Sequence, residues 1–450
     1  MSQAVHKLNM VEHYVDEFIR RRKEFVNDRI QKQRQSAIEL FRQKGFPTTR
    51  QENWKYTDVR TITRHTFSTI VHPEIEPAAQ ELAKIKFTEL DCHELVIFNG
   101  QYAPDHSRTG ALPEGVIVCD LPQALGHYDE LLTQYIARYA DDNVSAFTAL
   151  NTAFIQNGCF IYVPDNAVID KPINILYLSG MVSNKLATLP HNVIVLGKNA
   201  EATVIESYIG LDESNYFTNT VTEASLAFGS RLSHYKIQQE SRNSYHIGSF
   251  YVCQEKDSYC ESHSISLGAS LARNDIHAQL NAEGAEIILN GLYMADGKQH
   301  IDNHTRIDHL QPNTRSVEHY RGILNDSARG VFNGKVVVHQ DAQKTDAQQS
   351  NANLLLSDNA EVDTKPELEI YADDVKCAHG ATVGQLDQNM LFYLRSRAIE
   401  EETAKSLLCF AFADEVIKQI RFKHIRDRLE YLVLGRLPDA DLIREFTHES

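Results

Sequence analysis

A cysteine and a histidine, Cys377 and His379, stand two positions apart in the stretch VKCAHGATVG at 375–384, in a chain with only seven cysteines. A thiolate with an imidazole suits iron or zinc. If YADDVKCAHG forms a strand, where alternate residues share a face, the two side chains project to one side with Cα atoms about 7 Å apart. They can then serve one ion. Two ligands do not close such a site, however; four are needed, from this chain or from a partner. The pair also has the composition of a nucleophile with its base, although no orienting third group and no oxyanion site can be identified. The plainest alternative is a buried cysteine beside a turn histidine. On the residues alone all three stay open.

Histidine is otherwise plentiful, at 20 in the chain, with His300, His304, His309 and His319 close together. HIDNHTRIDH offers three imidazoles but neither a helical i, i+4 frame nor a thiolate. On a strand, His300 and His304 share a face and His309 lies opposite. The expectation is of solvated or ladder-forming histidines on a solenoid surface, with Asp302, Arg306 and Asp308 in ordinary surface ion pairs. The other cysteines, at 92, 119, 159, 253, 260 and 409, make no CxxC and no zinc-type spacing. They read as small buried hydrophobes in a reducing compartment. The phosphate loop GxxxxGK[ST] and the nucleophile elbow GxSxG are both absent, which excludes ATP hydrolysis and acyl transfer by those routes.

The formal net charge of -16, from 61 acidic against 45 basic residues, repels phosphate backbones and anionic lipid. No nucleic acid and no membrane is therefore expected as a partner. No apolar run reaches about 18 residues, and the amino-terminal stretch MSQAVHKLNMVEHYVDEF lacks a signal-peptide core. A cytoplasmic protein is the expectation.

The elements that must position these residues fall into three zones: 1–176, 177–395 and 396–450. In the first, Leu8, Val11, Val15, Phe18 and Ile19 keep helical spacing, and Gly45 with Pro47 ends the helical stretch. Trp54, the only tryptophan, reads as an aromatic anchor tying those helices to the body. Short apolar runs such as LVIFNG, VIVCDL and CFIYVP then give mixed α and β. The second zone repeats turn-plus-strand units that start at Asn199, Gly229, Asp257, Gly284 and Asn313, about 28 residues apart, as expected of solenoid coils. Two more units follow off-register, from Ser327 and Asn359. Period-two alternation at Val204, Leu232, Ile287 and Leu289 predicts a continuous apolar interior with polar residues outside. A β-helix or similar β-solenoid fits. Such folds also host polysaccharide lyases and hydrolases, but the acidic residues do not recur on one face with a matched arginine. In the third zone Ile417, Ile420, Ile425, Leu429 and Leu432 predict two helices broken near Ala413 and Asp414. The cluster LLCFAF, Leu407 to Phe412, is either core or a docking patch for another protein.

The stretch KPELEIYADDVKCAHGATVGQLDQNMLFYLRSRAI, at 365–399, resembles the carboxy-terminal signature of the SufB/SufD family of iron-sulfur cluster assembly proteins, and within it SufD most closely. FPTTRQENWKYT and FTALNTAFIQNGCFIYVP, the latter at 147–164, resemble the family too, so the likeness spans nearly the whole chain. The resemblance implies a right-handed parallel β-helix between an amino-terminal helical and mixed α/β region and a carboxy-terminal helical one. It implies a non-catalytic, SufD-like subunit of a SufBCD-type complex, pairing with a SufB-like paralogue and docking the ABC-type ATPase SufC. The docking region would be 396–437, including Leu407, Leu408, Phe410 and Phe412. Whether the isolated chain pairs with itself as a homodimer stays open. Cys377 and His379 would sit at the junction with the paralogue as metal ligands shared with it. Iron or a nascent cluster would be met there only transiently, with no cofactor held by the chain alone. SufB carries an acidic residue on each side of the matching histidine, and extra cysteines; here the neighbours are Ala378 and Gly380, which implies an assisting subunit. The rival readings are a purely structural platform and a β-helix carbohydrate enzyme.

Overall fold

The units that start at Asn199, Gly229, Asp257, Gly284 and Asn313 each open on a residue whose φ lies between 54° and 76°. Gly, Asn and Asp tolerate that left-handed backbone, which turns the chain within one residue. Each turn bonds to the next: the N–H groups of Asn199, Gly229 and Asp257 donate to the carbonyls of Phe228, Lys256 and Glu283, one coil further on. The strands that follow are Glu201–Gly210, Arg231–Gln239, Tyr259–Ser266, Glu286–Ala295 and Arg315–Leu324, and neighbours pair in parallel with the repeats in register. The sequence period is therefore one full coil of a β-solenoid. In this computed structural model, residues 2–21, 28–69, 90–143, 145–181 and 185–440 are described.

Two sheets face each other. The first runs from Gln101–Tyr102, His93–Phe98 and Ile173–Ser179 through those five strands to Asp346–Leu355 and ends at Lys376–Gly384. The second starts at Ile117–Asp120 and Cys159–Val163 and ends at Arg329–Val338 and Glu361–Ile370. The off-register units from Ser327 and Asn359 precede these last two strands, which pair with each other. They are off-register because they belong to the opposite sheet.

Val204, Leu232, Ile287 and Leu289 point inward and are fully buried. The interior is nonetheless not the continuous apolar core expected from alternation. The same inward rows carry Glu206, His234 and Lys236, all buried. Burial alone would raise the Glu206 pKa, but His234 at 3.1 Å and the hydroxyls of Tyr208 and Thr222 at 2.6 and 2.7 Å hold it at about 2. Burial lowers Lys236 to about 8, against the pull of Glu206, Glu240 and Asp275, and its ammonium donates to Asn274 at 2.8 Å. Buried charges persist only when paired or bonded in this way. A Cβ on Gly248 would stand 2.0 Å from Lys236 Nζ, so glycine there makes room for the ammonium.

Helices cover the outer faces. On the second sheet lie α1 (Ser2–Arg21), α2 (Asp28–Lys44) and α3 (Ala146–Ala153), whose Tyr14, Phe18, Phe41 and Phe147 pack with Phe217, Ile247 and Leu271 of the strands. Ile19, expected in the apolar stripe, is 52% exposed, because Tyr14, Val15 and Phe18 set the inward face; the side chain of Leu8 lies outside the described residues. Trp54 is buried between Phe147, at 5.4 Å between rings, and the Arg273 guanidinium, 3.8 Å above its ring. This segment roofs part of the sheet and overturns the reading of Asp302 as a surface acid. Asp302 is fully buried, bonded to Arg273 at 2.8 Å and to the Thr57 hydroxyl at 2.5 Å. Asp308 is 8% exposed and bonded to Arg306. His309 is buried inward against the hydroxyls of Thr314 and Ser316, while His300, His304 and His319 are only partly exposed.

Past the solenoid come α4 (Gln388–Ser396), capped by the Asp387 carboxylate, α5 (Glu401–Ile417) and α6 (Lys423–Leu434). The break expected near Ala413 and Asp414 lies instead at 418–422. Ala413, Val416 and Ile417 are fully buried, so the helix gains by continuing through them. Together with Ile425 and Leu429, they pack on Ile205, Tyr235, Ile265, Leu292 and Ile323, the outward side chains of the first sheet.

The stacked turns are directly testable by denaturant midpoints. Gly284, at φ +76°, would place a Cβ 2.1 Å from Asp257 Oδ1, whereas Gly297, at φ +59°, has nothing within 4 Å. Gly284→Ala should cost more than the roughly 1–2 kcal/mol of left-handed strain expected for Gly297→Ala. Equal losses would mean that inter-coil contact at the turn is not limiting.

Candidate functional site

Lys376–Gly384 is the last strand of the first sheet, and it pairs with Asp346–Leu355 so that Cys377 lies opposite Ala347 and His379 opposite Gln349. Ala347 and Gln349 are buried in the solenoid interior. Cys377 and His379 therefore continue the inward row, on one face, as the two-residue spacing predicts. Among the described residues no further coil follows within the sheet. Cys377 is consequently half-buried, against Val336, Val338, Ala347 and Leu368, and His379 is exposed. Burial, with Asp346 adding to it, raises the Cys377 thiol above its ordinary range, against the opposing hydrogen bond with the Ala347 backbone. The thiol is protonated at neutral pH and must lose its proton to bind a metal. Among the described residues no three His, Cys, Asp or Glu side chains are placed to hold a metal ion.

The rim of this open end carries exposed apolar side chains. Glu361–Ile370 is only partly covered along its length, and Ile370, Tyr371 and Val383 are exposed. On the neighbouring α4, Met390, Phe392 and Tyr393 are 57%, 74% and 55% exposed. Among the described residues the two terminal strands have unpaired outer edges beside these side chains, and unpaired edges and exposed apolar patches are features found at protein contacts.

Behind the pair lies a buried acid. Glu318 pairs in register with Gln349, which pairs with His379, so the three form one inward row across adjacent coils. Gln349 donates its amide to the Glu318 carboxylate. Burial outweighs that bond and raises the Glu318 pKa to about 7. Alternation alone assigns Glu318 outward; its alignment with the inward Leu289 one coil earlier is the signal that places it inside. Leu407, Leu408, Phe410 and Phe412 do not form one patch. Phe410 is 8% exposed and faces the solenoid, while Leu407, Leu408 and Phe412 are half-buried, with the Arg321 guanidinium 4.9 Å over the Phe412 ring. No helix among the described residues is long and apolar enough to cross a membrane.

Comparison with known proteins gives two family matches: the SufBD core domain of SUF system FeS cluster assembly over residues 179–412, and the SufBD protein N-terminal region over residues 9–175. The iron-sulfur cluster assembly protein SufD of Escherichia coli is 32% identical over 410 residues, covering 90% of this chain and 93% of that protein. An iron-sulfur cluster assembly SufBD family protein of Synechocystis is 33% identical over 411 residues, 90% of both chains. The chloroplastic protein ABCI7 of Arabidopsis thaliana is 30% identical over 423 residues, 91% of this chain and 86% of its own.

Two measurements probe the geometry. Six cysteines are buried and Cys377 is not, so a maleimide should label one thiol in the folded protein and none in Cys377→Ser. Its rate should climb about tenfold per pH unit below the thiol pKa. Rapid labelling of a second thiol, or a pH-independent rate, would contradict this environment. For Glu318, the folded pKa near 7 lies above the ordinary 4.5, so its stabilising share is fully present below pH 4.5 and is lost as pH rises towards 7. The stability of Glu318→Gln relative to wild type should therefore rise by on the order of a few kcal/mol from the acid to the alkaline end of that window. An unchanged difference would place an ionised, compensated carboxylate there instead.

Proposed function

The chain belongs to the SufB/SufD family of iron-sulfur cluster assembly proteins, close to SufD, and from that premise we propose that it is the assisting, non-catalytic subunit of a cytoplasmic SufBCD-type complex. It pairs with a SufB-like paralogue through the open end of the solenoid and docks an ABC-type ATPase through α5 and α6. When alone, it pairs with a second copy. Cys377 and His379 contribute two donors at the paired end, and the paralogue supplies the others. The iron or nascent cluster is cargo, held transiently, with no group resident in the isolated chain.

The observation that carries this reading is the place of the pair. The inward face of a last coil is the one position where interior-directed ligands are reachable from outside, and here it is rimmed by exposed apolar side chains. Pairing would bury the thiol, which protects it from oxidation at rest. ATP-driven closure of two ATPase subunits would move α5 and α6, and through them the sheet on which they lie, opening the pair to iron. The absence of carboxylates beside His379, where Ala378 and Gly380 stand, supports an assisting role for this chain.

A platform without any ligand role is favoured by one observation, the apolar packing of Cys377. Anaerobic reconstitution with the paralogue and the ATPase separates the two. His379→Ala should leave complex assembly intact and lower cluster formation by about tenfold or more, since even loss of a group that only orients a metal ligand costs that much. Cys377→Ser should lower it as well, and a silent result for both variants would leave the platform.

A further inference from the structure

A chain of net charge -16 places Lys418, Arg421, Lys423, His424, Arg426 and Arg428 within eleven residues, against one acid, Asp427. They cluster at the corner where α5 turns into α6, and Lys418, Arg421, Lys423 and His424 are exposed. Lys423 pairs with Asp427 at 3.0 Å and Arg421 with Glu261 at 3.7 Å. Arg426 donates to the Ile420 carbonyl, and Arg428 lies 5.5 Å over the Tyr431 ring. Among the described residues the side chains of Lys418 and His424 make no hydrogen bond or ion pair. Among the described residues, carboxylates thus pair with two of the cations, and Lys418, Arg426 and Arg428 have no carboxylate partner. Packing does not require this density: the corner is held by buried Ile417, Ile420 and Ile425. Like charges crowded on two helical turns repel and weaken the fold unless something else takes up their field.

The corner also continues a surface. Ala411 and Lys418 are exposed seven residues apart, on one side of α5, with half-buried Leu407 a further turn back. We propose that this cationic corner is the electrostatic half of the surface by which α5 and α6 take their protein partner, and that the partner presents an acidic face to it. The inference rests on the reading that these helices dock the ATPase, and it names the chemistry of the contact. The field of the whole chain opposes extended polyanions such as nucleic acid or an anionic bilayer, whereas a local acidic patch on a folded partner feels mainly the corner.

Full-length wild type and the charge-reversed Lys418→Glu/Arg428→Glu variant are mixed with the purified ATPase, and association and dissociation rates are followed from low to high salt. The wild-type on-rate should fall steeply with salt. The variant should associate about tenfold or more slowly at low salt, converge on wild type at high salt, and keep its off-rate, as steering charges do. Lys418→Gln/Arg428→Gln should fall between them, with unchanged thermal midpoints certifying the fold. If wild type fails to bind the ATPase, the docking reading and this one fall together. If it binds and the variants match its rate and salt slope, docking stands and the corner has no part in it. Binding of phosphatidylserine-rich vesicles or of an oligonucleotide that the variants lose, with ATPase association unaltered, also overturns the proposal.

Discussion

A coil of this solenoid cannot satisfy its own backbone. Each strand's N–H and C=O groups bond to the coils on either side, and even the one-residue turns donate to the next turn in the stack. An unpaired buried amide costs as much as a lost hydrogen bond, so the stack is cooperative along its length. The same requirement leaves a debt at the last coil. Among the described residues the strands Lys376–Gly384 and Glu361–Ile370 are each bonded on one side only. The place where the fold runs out of neighbours is also where Cys377 and His379 stand. Accessibility at this end follows from its being an end: identical residues one coil earlier would be sealed, as Ala347 and Gln349 are.

The interior obeys a second rule. Glu206, His234, Lys236 and Asn274 lie between sheets that elsewhere bury Val, Leu and Ile, and each finds a partner across a coil. Such groups are retained only with geometry that fixes them, which is why Gly248 stands opposite the lysine. Glu318 differs. Among the described residues it has no ion-pair partner, its carboxyl is pushed to about 7, and it lies two coils inside the open end. One interior therefore contains both an acid ionised at any physiological pH and one close to half-protonation.

How much of this could be read beforehand depends on what kind of force fixes each part. The turns at Asn199, Gly229, Asp257, Gly284 and Asn313 were legible, because left-handed backbone selects a few residue types. The second sheet announces itself less, so its units from Ser327 and Asn359 look displaced rather than opposite. Inward polar residues escape alternation, since a strand's period says which residues share a face and not which face is inside. The burial of Asp302 could not be seen at all: its partner Thr57 is 245 residues away, on a segment that only the folded chain lays across the sheet. Ala413 and Asp414 look like a helix break when polarity is weighed locally, but burial of Val416 and Ile417 carries the helix past them. The spacing of Cys377 and His379 is legible as a shared face; their accessibility is a property of coil number, which no local pattern contains.

The seating of α5 and α6 has a geometric consequence. Ile205, Tyr235, Ile265, Leu292 and Ile323 come from five consecutive strands of the first sheet, and Lys376–Gly384 lies two strands beyond the last of them. Strands are spaced about 4.8 Å apart, so the offset between helix seat and open end is fixed at roughly 10 Å and changes only in whole steps. Gain or loss of one coil in that interval would leave both surfaces chemically intact and put them out of reach of partners matched to the old spacing. In the proposed complex the solenoid would act as a graduated ruler between two contacts, and its reading would be an integer.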